Sequence, residues 1–215
     1  MENFSKRRDR FDFFEAFEKP LLNICYELEV EDFRPYCKIH ELPAFHFFLY
    51  NLFRSLNQVE NFKYRIYQGE VIRIDEFVGS YTVIEEENLF NFTRFKFAPE
   101  LRTFIRNSLR ARDEALGSTA LLNTGLGLSE RELKNYVFIT SIPWLRFTSI
   151  EHPVFRMRSA DIPSVSWGKF CEGAPGKLLI PFSVQAHHGF VDAYHIHQLG
   201  ECLKANLSSL LRKPS

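Results

Sequence analysis

The chain has 215 residues, 27 Lys and Arg against 27 Asp and Glu, and an apolar fraction of 45%. That length and apolar content exclude a disordered chain and allow about 70% of the unfolded surface to be buried in a core. The zero net charge removes the electrostatic case for binding nucleic acid or an anionic membrane surface. From the N-terminus, Met1 to Arg10 is polar and carries Lys6, Arg7, Arg8 and Arg10, with no apolar run behind it to make a signal peptide. Asp9 to Phe17 fits a short helix or turn with apolar residues at 11, 13, 14 and 17. Asn23 to Val30 alternates and reads as a strand. Leu42 to Leu56 is a strong amphipathic helix, with Pro43 in its first turn. Phe62 to Ile66 and Glu70 to Ile74 read as a hairpin closed by Tyr67-Gln68-Gly69. Gly79 to Glu85 is a further strand, and Pro99 to Ala111 a helix. Ser118 to Gly127, rich in small residues, is a loop. Tyr136 to Ser141, Pro163 to Phe170 and Leu178 to His188 are strands. Asp192 to Leu211 closes the chain as a long helix with Ile196, Leu199, Leu203, Leu207 and Leu210 on its core face.

This order mixes strands and helices without βαβ alternation, which predicts an α/β fold: a mixed sheet with helices packed on it, as one domain over residues 1–215. The 23 phenylalanines must fill a large core, a pocket or an interface. Cys25, Cys37, Cys171 and Cys202 show no CxxC spacing and read as reduced, mostly buried thiols. No apolar stretch approaches the length of a membrane span, so the expectation is a soluble, cytoplasmic protein. Thr124-Gly125-Leu126-Gly127 offers a G-x-G, but Glu130 stands where a dinucleotide fingerprint needs its third glycine.

The chemistry concentrates in Gln185-Ala186-His187-His188-Gly189-Phe190-Val191-Asp192-Ala193-Tyr194-His195, at a strand-to-helix junction. Three readings of it stand side by side. In the structural one, Asp192 caps the helix and the histidines are satisfied core or interface groups. In the second, His187, His188, Asp192, His195 and His197 hold a metal. Adjacent strand histidines diverge, though, and His195 and His197 lie on different helix faces, so no metal site is expected. In the third, one histidine is a general base that takes a proton from a hydroxyl, with Asp192 organising its loop.

These residues resemble the signature of the chloramphenicol acetyltransferase family, Q-V-H-H-A-V-C-D-G-F-H, at Gln185, His187, His188, Asp192 and His195, with Tyr194 for Phe. The likeness runs along the chain. Arg7-Arg8-Asp9-Arg10-Phe11-Asp12-Phe13-Phe14 resembles the family's R-R-E-H-F-E-F-Y, and Leu42-Pro43-Ala44-Phe45 its F-Y-P-A-F. Phe62 to Ile66 sits at its F-R-x-x-I strand, and Tyr81-Thr82-Val83 matches its Y-T-V. Thr140-Ser141-Ile142-Pro143-Trp144 and Phe147-Thr148-Ser149 resemble S-A-x-P-W-x-x-F-x-S, and Leu179 to Gln185 resembles L-L-P-L-S-V-Q.

The resemblance implies roles residue by residue. The general base falls on His188, the structural aspartate on Asp192 and its arginine partner on Arg7. The oxyanion hydroxyl falls on Thr140, in place of a serine, and a second hydroxyl near the transition state on Ser166. A lysine for the coenzyme phosphate falls on Lys169; the family's other coenzyme lysine is replaced by His40, with Lys38 close by. In the acceptor pocket a family tyrosine becomes Phe14, and Pro20 and Leu22 also differ. Gly189 and Ala193 exchange the family's Ala and Gly, and Arg10 replaces a usual His.

The resemblance further implies a two-layer sandwich, a homotrimer with active sites between subunits, and acetyl transfer from acetyl-CoA to a small-molecule hydroxyl, without a metal. Antibiotic resistance is the family's known association. Three alternatives remain beside it: a relative acetylating another hydroxylated compound, an acyltransferase core served by a lipoyl arm, and a non-catalytic oligomeric binding protein. Lipoyl-dependent cores normally carry upstream domains, whereas this chain opens a few residues before its first element.

Overall fold

The computed structural model describes residues 2–84, 89–121, 127–154 and 160–212. Short helices α1 (Glu2–Ser5) and α2 (Arg8–Glu15) lead into the long strand β1 (Leu21–Glu31), α3 (Arg34–Ile39) and α4 (Ala44–Gln58). The hairpin β2 (Tyr64–Tyr67) and β3 (Glu70–Arg73) comes next, then β4 (Val78–Ile84), β5 (Phe90–Phe92), β6 (Phe95–Lys96) and α5 (Leu101–Leu116). The second half holds α6 (Glu130–Leu133), β7 (Tyr136–Ser141), β8 (Ser164–Trp167), β9 (Cys171–Glu172), β10 (Lys177–His187) and α7 (Ala193–Leu211).

The main sheet runs β1-β10-β8-β7-β4-β5, with β6 beside β4 and β9 beside β10. β4, β7 and β8 run parallel to one another, and β1 and β10 are antiparallel to their neighbours. The sheet is therefore mixed, as the sequence predicts. The hairpin stands outside it, in a sheet of its own. Its turn uses two consecutive residues at positive φ, Gln68 at 52° and Gly69 at 79°, the conformation a two-residue hairpin demands. Buried Arg65 ties the hairpin down by donating to the carbonyls of Phe62, Tyr64, Lys134 and Tyr136. Asp161 accepts from the Ile66 N–H and from Lys134 Nζ on the same side.

Several sequence expectations shift. Pro43 is not in the first turn of α4 but its N-cap, with ψ of 119°. Phe62 and Lys63 lie in a 3₁₀ turn (Glu60–Lys63) ahead of β2. Helix α3 and the short strands β5, β6 and β9 carry too little periodic pattern to announce themselves. Of the four free cysteines only Cys37 is buried; the other three are half-buried. Glu85, at the end of a predicted strand, and residues 122–126 of the predicted loop and G-x-G lie outside the described residues.

One face of the sheet carries the core. Phe182 on β10 and Trp167 on β8 are directly opposed, and Trp167 packs edge-on against Phe48 of α4 at 5.1 Å. Phe33, Phe47, Phe48, Phe53, Phe104 and Phe182 are completely buried, each worth about 1.5–3 kcal/mol of transfer free energy. α7 runs along β1 so closely that a Cβ on Gly200 would sit 2.6 Å from the Tyr26 hydroxyl, so a larger residue there would have to displace that side chain. No helix of the described residues is long and apolar enough to cross a membrane.

Candidate active site

The N-terminal segment clamps the loop between β10 and α7. Phe4, Arg7, Phe11, Phe14 and Glu15 recur at helical spacing and so share one face. Phe11 stacks on Phe190 at 5.0 Å and on His187 at 5.8 Å, and Phe14 stacks on His188 at 3.8 Å. Arg7 donates from Nε to the Gly189 carbonyl (2.9 Å) and from Nη1 to Asp192 Oδ2 (3.0 Å). The other oxygen of Asp192 caps α7, accepting from the N–H groups of Tyr194 (3.0 Å) and His195 (3.4 Å). His195 completes the box, its Nδ1 accepting from the Asp192 N–H. One side chain thus serves as both the helix cap and the ion-pair partner. Burial raises the Asp192 carboxyl, but His195 and Arg7 outweigh it and hold the group below the ordinary carboxylate range.

The two adjacent histidines carry opposite tautomers. A carbonyl can only accept, so His188 Nδ1 must donate to the Val191 oxygen at 3.2 Å, which leaves the lone pair on Nε2. At His187 the Gly189 N–H donates to Nδ1 (3.1 Å), so Nε2 carries the proton and donates to Glu15 Oε2 (2.9 Å). His187 is 1% exposed, and that burial, against the pull of Glu15, lowers its pKa; it is a neutral, doubly bonded ring. His188 is half-buried at the surface of the loop.

The sheet face away from the helices holds the second group. Thr140, Ser166, Ser183 and Cys25 stand opposite one another across β7, β8, β10 and β1 and so share that face. The segment 142–152 covers it. The Ile150 carbonyl accepts from Asn23 Nδ2 (2.6 Å), and Lys19 pairs with Glu151. His152 Nε2 meets Ser166 Oγ at 2.6 Å. Gln185 grips the His152 backbone twice, accepting from its N–H (3.0 Å) and donating to its carbonyl (3.1 Å). At the end of β7 a cleft of about 740 Å³ opens, lined by Pro43, Phe45, Arg112, Thr140, Ser141 and Trp144. His46 in its wall bonds Ser108 at 3.0 Å, and burial lowers its pKa to about 4. A second cleft of about 750 Å³, between Pro43 and α5, holds none of the candidate catalytic, substrate or coenzyme residues.

The structure brings together His188, Asp192, Arg7 and Phe14, and separately Thr140 and Ser166. It does not join the two groups within one chain. Thr140 aligns through Ser166 with Ser183, five residues before His188 and two strands away. At about 3.3 Å per residue and about 4.8 Å per strand, the Thr140 and His188 backbones lie on the order of 19 Å apart. Leu22 shares neither group's face: it pairs with Ala186 and packs on the core with Ile24 and Tyr26. Lys169 is exposed after β8 and does not line the cleft. Among the described residues no three His, Cys, Asp or Glu side chains are grouped to hold a metal ion. Sequence reasoning passed over Glu15 and His152. Glu15 lies four residues after Phe11, a spacing that could have exposed it; His152 has no local signal, since its partners lie on other strands.

Known proteins resemble this chain in sequence and fold. The profile of the chloramphenicol acetyltransferase family matches residues 2–204. A chloramphenicol acetyltransferase of Escherichia coli is 24% identical over 194 residues, covering 90% of this chain and 85% of that protein. One of Haemophilus influenzae is 23% identical over 207 residues, covering 96% and 94%. A solved chloramphenicol acetyltransferase superposes with a TM-score of 0.80 at 26% identity over 94% of this chain and 95% of that one. The cubic core of the pyruvate dehydrogenase multienzyme complex shares the fold at a TM-score of 0.63 and 11% identity, over 96% and 88%. With a profile spanning nearly its whole length, this chain belongs to the chloramphenicol acetyltransferase family and is an acyl-transferring enzyme.

Proposed function

We propose that the chain transfers an acetyl group from acetyl-CoA to the hydroxyl of a small molecule, with His188 as general base. The observation that carries this is the His188 tautomer: Nδ1 is committed to the Val191 carbonyl, and Nε2 is left as a lone pair on a loop fastened by Arg7 and Asp192. Nε2 takes the hydroxyl proton as the oxygen attacks the thioester carbonyl. The tetrahedral oxyanion accepts from the Thr140 hydroxyl, a donor worth about 10²–10³ in rate at such sites. Collapse breaks the carbon–sulfur bond, and the proton returns from Nε2 to the thiolate.

The gap of about 19 Å within one chain supports a homotrimer in which His188 of one subunit meets Thr140 of the next. The cleft beside Thr140 is of ligand size, apolar on most sides and supplied with one cation, Arg112; that suits the long arm of acetyl-CoA. Lys169 would reach the coenzyme only outside this cleft.

Chloramphenicol is the acceptor named by the relatives, and Phe14 gives the reason to expect weaker use of it here. Phe14 stacks on the base but lacks the hydroxyl of the family's tyrosine. The Phe14→Tyr variant is expected to raise kcat/KM for chloramphenicol by roughly 2–13-fold, the size of one hydrogen bond, with KM for acetyl-CoA unchanged. The deciding experiment follows thiol release from acetyl-CoA across hydroxylated acceptors, chloramphenicol included. Turnover that disappears in His188→Ala supports the reading. No thiol release with any acceptor, or equal rates in that variant, defeats it.

A further inference from the structure

We infer that His152 is a positioning residue: by donating to the Ser166 hydroxyl it sets the direction in which the Thr140 hydroxyl points. The inference rests on the oxyanion role proposed for Thr140 and adds to it. Its basis is a row of contacts that the segment 142–152 builds on the polar face of the sheet. His152 Nε2 lies 2.6 Å from Ser166 Oγ, and Ser166 is completely buried. Ser166 stands directly opposite Thr140 on the neighbouring parallel strand, so the two hydroxyls share a face about 4.8 Å apart at the backbone. The backbone of His152 is fixed from both sides. Gln185, itself 3% exposed, holds its N–H and its carbonyl at once.

A hydroxyl has one proton and two lone pairs. If His152 Nε2 carries the proton, it donates to Ser166 Oγ and leaves the Ser166 proton free to turn toward Thr140. The Thr140 proton is then free to meet an oxyanion. The opposite polarity would have Ser166 donate to His152, and Thr140 would spend its own proton on Ser166. Thr140 can be an oxyanion donor without competition only in the first arrangement. Burial lowers the His152 pKa, so the ring is neutral and a single proton on Nε2 is the state the relay needs. Chains of buried hydroxyls polarise one another, which gives the orientation a consequence for the far end.

The test is a double-mutant cycle read in kcat at saturating acetyl-CoA and acceptor, with thermal unfolding of every variant. His152→Leu and Ser166→Ala are each expected to lower kcat by about tenfold, the contribution of one hydrogen bond, while KM moves by less than about twofold. In a Thr140→Val background neither should lower kcat further, within the roughly twofold error of additivity. His152→Gln, whose amide N–H can still donate to Ser166, should return to within about twofold of the wild type. If His152→Leu does not fold, Ser166→Ala and His152→Gln carry the decision. Effects that add in the Thr140→Val background overturn the relay and leave the oxyanion role standing. A Thr140→Val variant with unchanged kcat overturns the oxyanion role and the relay together.

Discussion

His187 and His188 are neighbours in sequence and opposites in every physical respect. His187 ends a strand, is sealed between Phe11 and Phe190, and has both nitrogens engaged, one by Glu15 and one by the Gly189 N–H. His188 begins the loop, lies against one face of Phe14, and has one nitrogen engaged. A base needs a free lone pair and room for a substrate; a structural ring needs the reverse. The pair therefore divides its labour: the first histidine builds the turn that presents the second. The end of β10 makes the division, since His187 is its last residue and His188 the first of the loop.

The more exposed ring should show the greatest loss. His188→Ala should lower turnover by about 10²–10⁴, the usual contribution of a general base, with an unchanged unfolding midpoint. Kinetics paired with urea unfolding would check it. The contrast fails if His187→Ala gives the same loss of turnover at the same stability.

His187→Ala should show the reversed pattern. It leaves a void against Phe11 and Phe190 and deprives the Gly189 N–H of its acceptor, at a cost of about 2–4 kcal/mol. Turnover should fall by less than about tenfold, because the ring does not touch the reacting atoms. The sign of its pH dependence comes from burial. The folded pKa of His187 lies below its ordinary value of 6.5, so the unfolded chain binds more protons below that pH. Stability is then full above about pH 6.5 and declines as pH falls toward the folded value. His187→Ala should make that decline shallower; His46, His152 and His195, also lowered by burial, keep it from vanishing.

Asp192→Asn tests the same division from the side of the loop. Asparagine caps a helix as well as aspartate does, so α7 should survive and the loss should report the Asp192 charge acting on Arg7 and His195. The pair is partly screened, with the Asp192 side chain 35% exposed, and about 1 kcal/mol is expected at neutral pH. The carboxyl is depressed in the folded state, so its contribution is present above an unfolded value of about 3.9 and is lost as pH falls through the folded one. Wild type and variant should therefore converge in stability at strongly acid pH. Turnover should drop at neutral pH because Arg7 also holds the Gly189 and His188 carbonyls in place. A variant with intact stability and lost turnover would mean that Asp192 acts on the chemistry directly.

Much of this was legible in the sequence, for identifiable reasons. The long strands and amphipathic helices announced themselves because their patterns run over many residues, as in β10 and α7. The loop after His187 could be read because its signature is contiguous. The Arg7–Asp192 contact came from resemblance, not pattern: the two are 185 residues apart, and a run of Arg7, Arg8 and Arg10 does not say which guanidinium turns inward. The fold chooses Arg7 through the register of Phe11 with Phe190. Leu22, expected in an acceptor wall, is half-buried and packs against the core, because strand parity pairs it with Ala186. His152 was invisible because nothing near it in sequence distinguishes a half-buried, bonded ring from a solvated one. What fixes its backbone is Gln185, a residue read only as part of a signature.

The smallest effect is expected at Glu15, which decides whether His187 is held by charge or by geometry. Its carboxylate accepts the Nε2 proton of His187 at 2.9 Å, and its side chain is 47% exposed. Gln can accept the same proton through its amide oxygen, so Glu15→Gln removes the charge and keeps the bond. An exposed charge contributes little to stability once water and salt screen it, and less than about 0.5 kcal/mol should be lost. The charge does act on titration, because Glu15 is the main influence opposing the burial that lowers the His187 pKa. The variant should therefore move that pKa further down, visible as a shifted imidazole titration by NMR, while turnover stays within about twofold. If the pKa stays where it is, the carboxylate is too well screened to matter and geometry alone fixes the ring. If turnover falls as far as in His188→Ala, His187 is not a structural ring, and the division of labour between the two histidines is wrong.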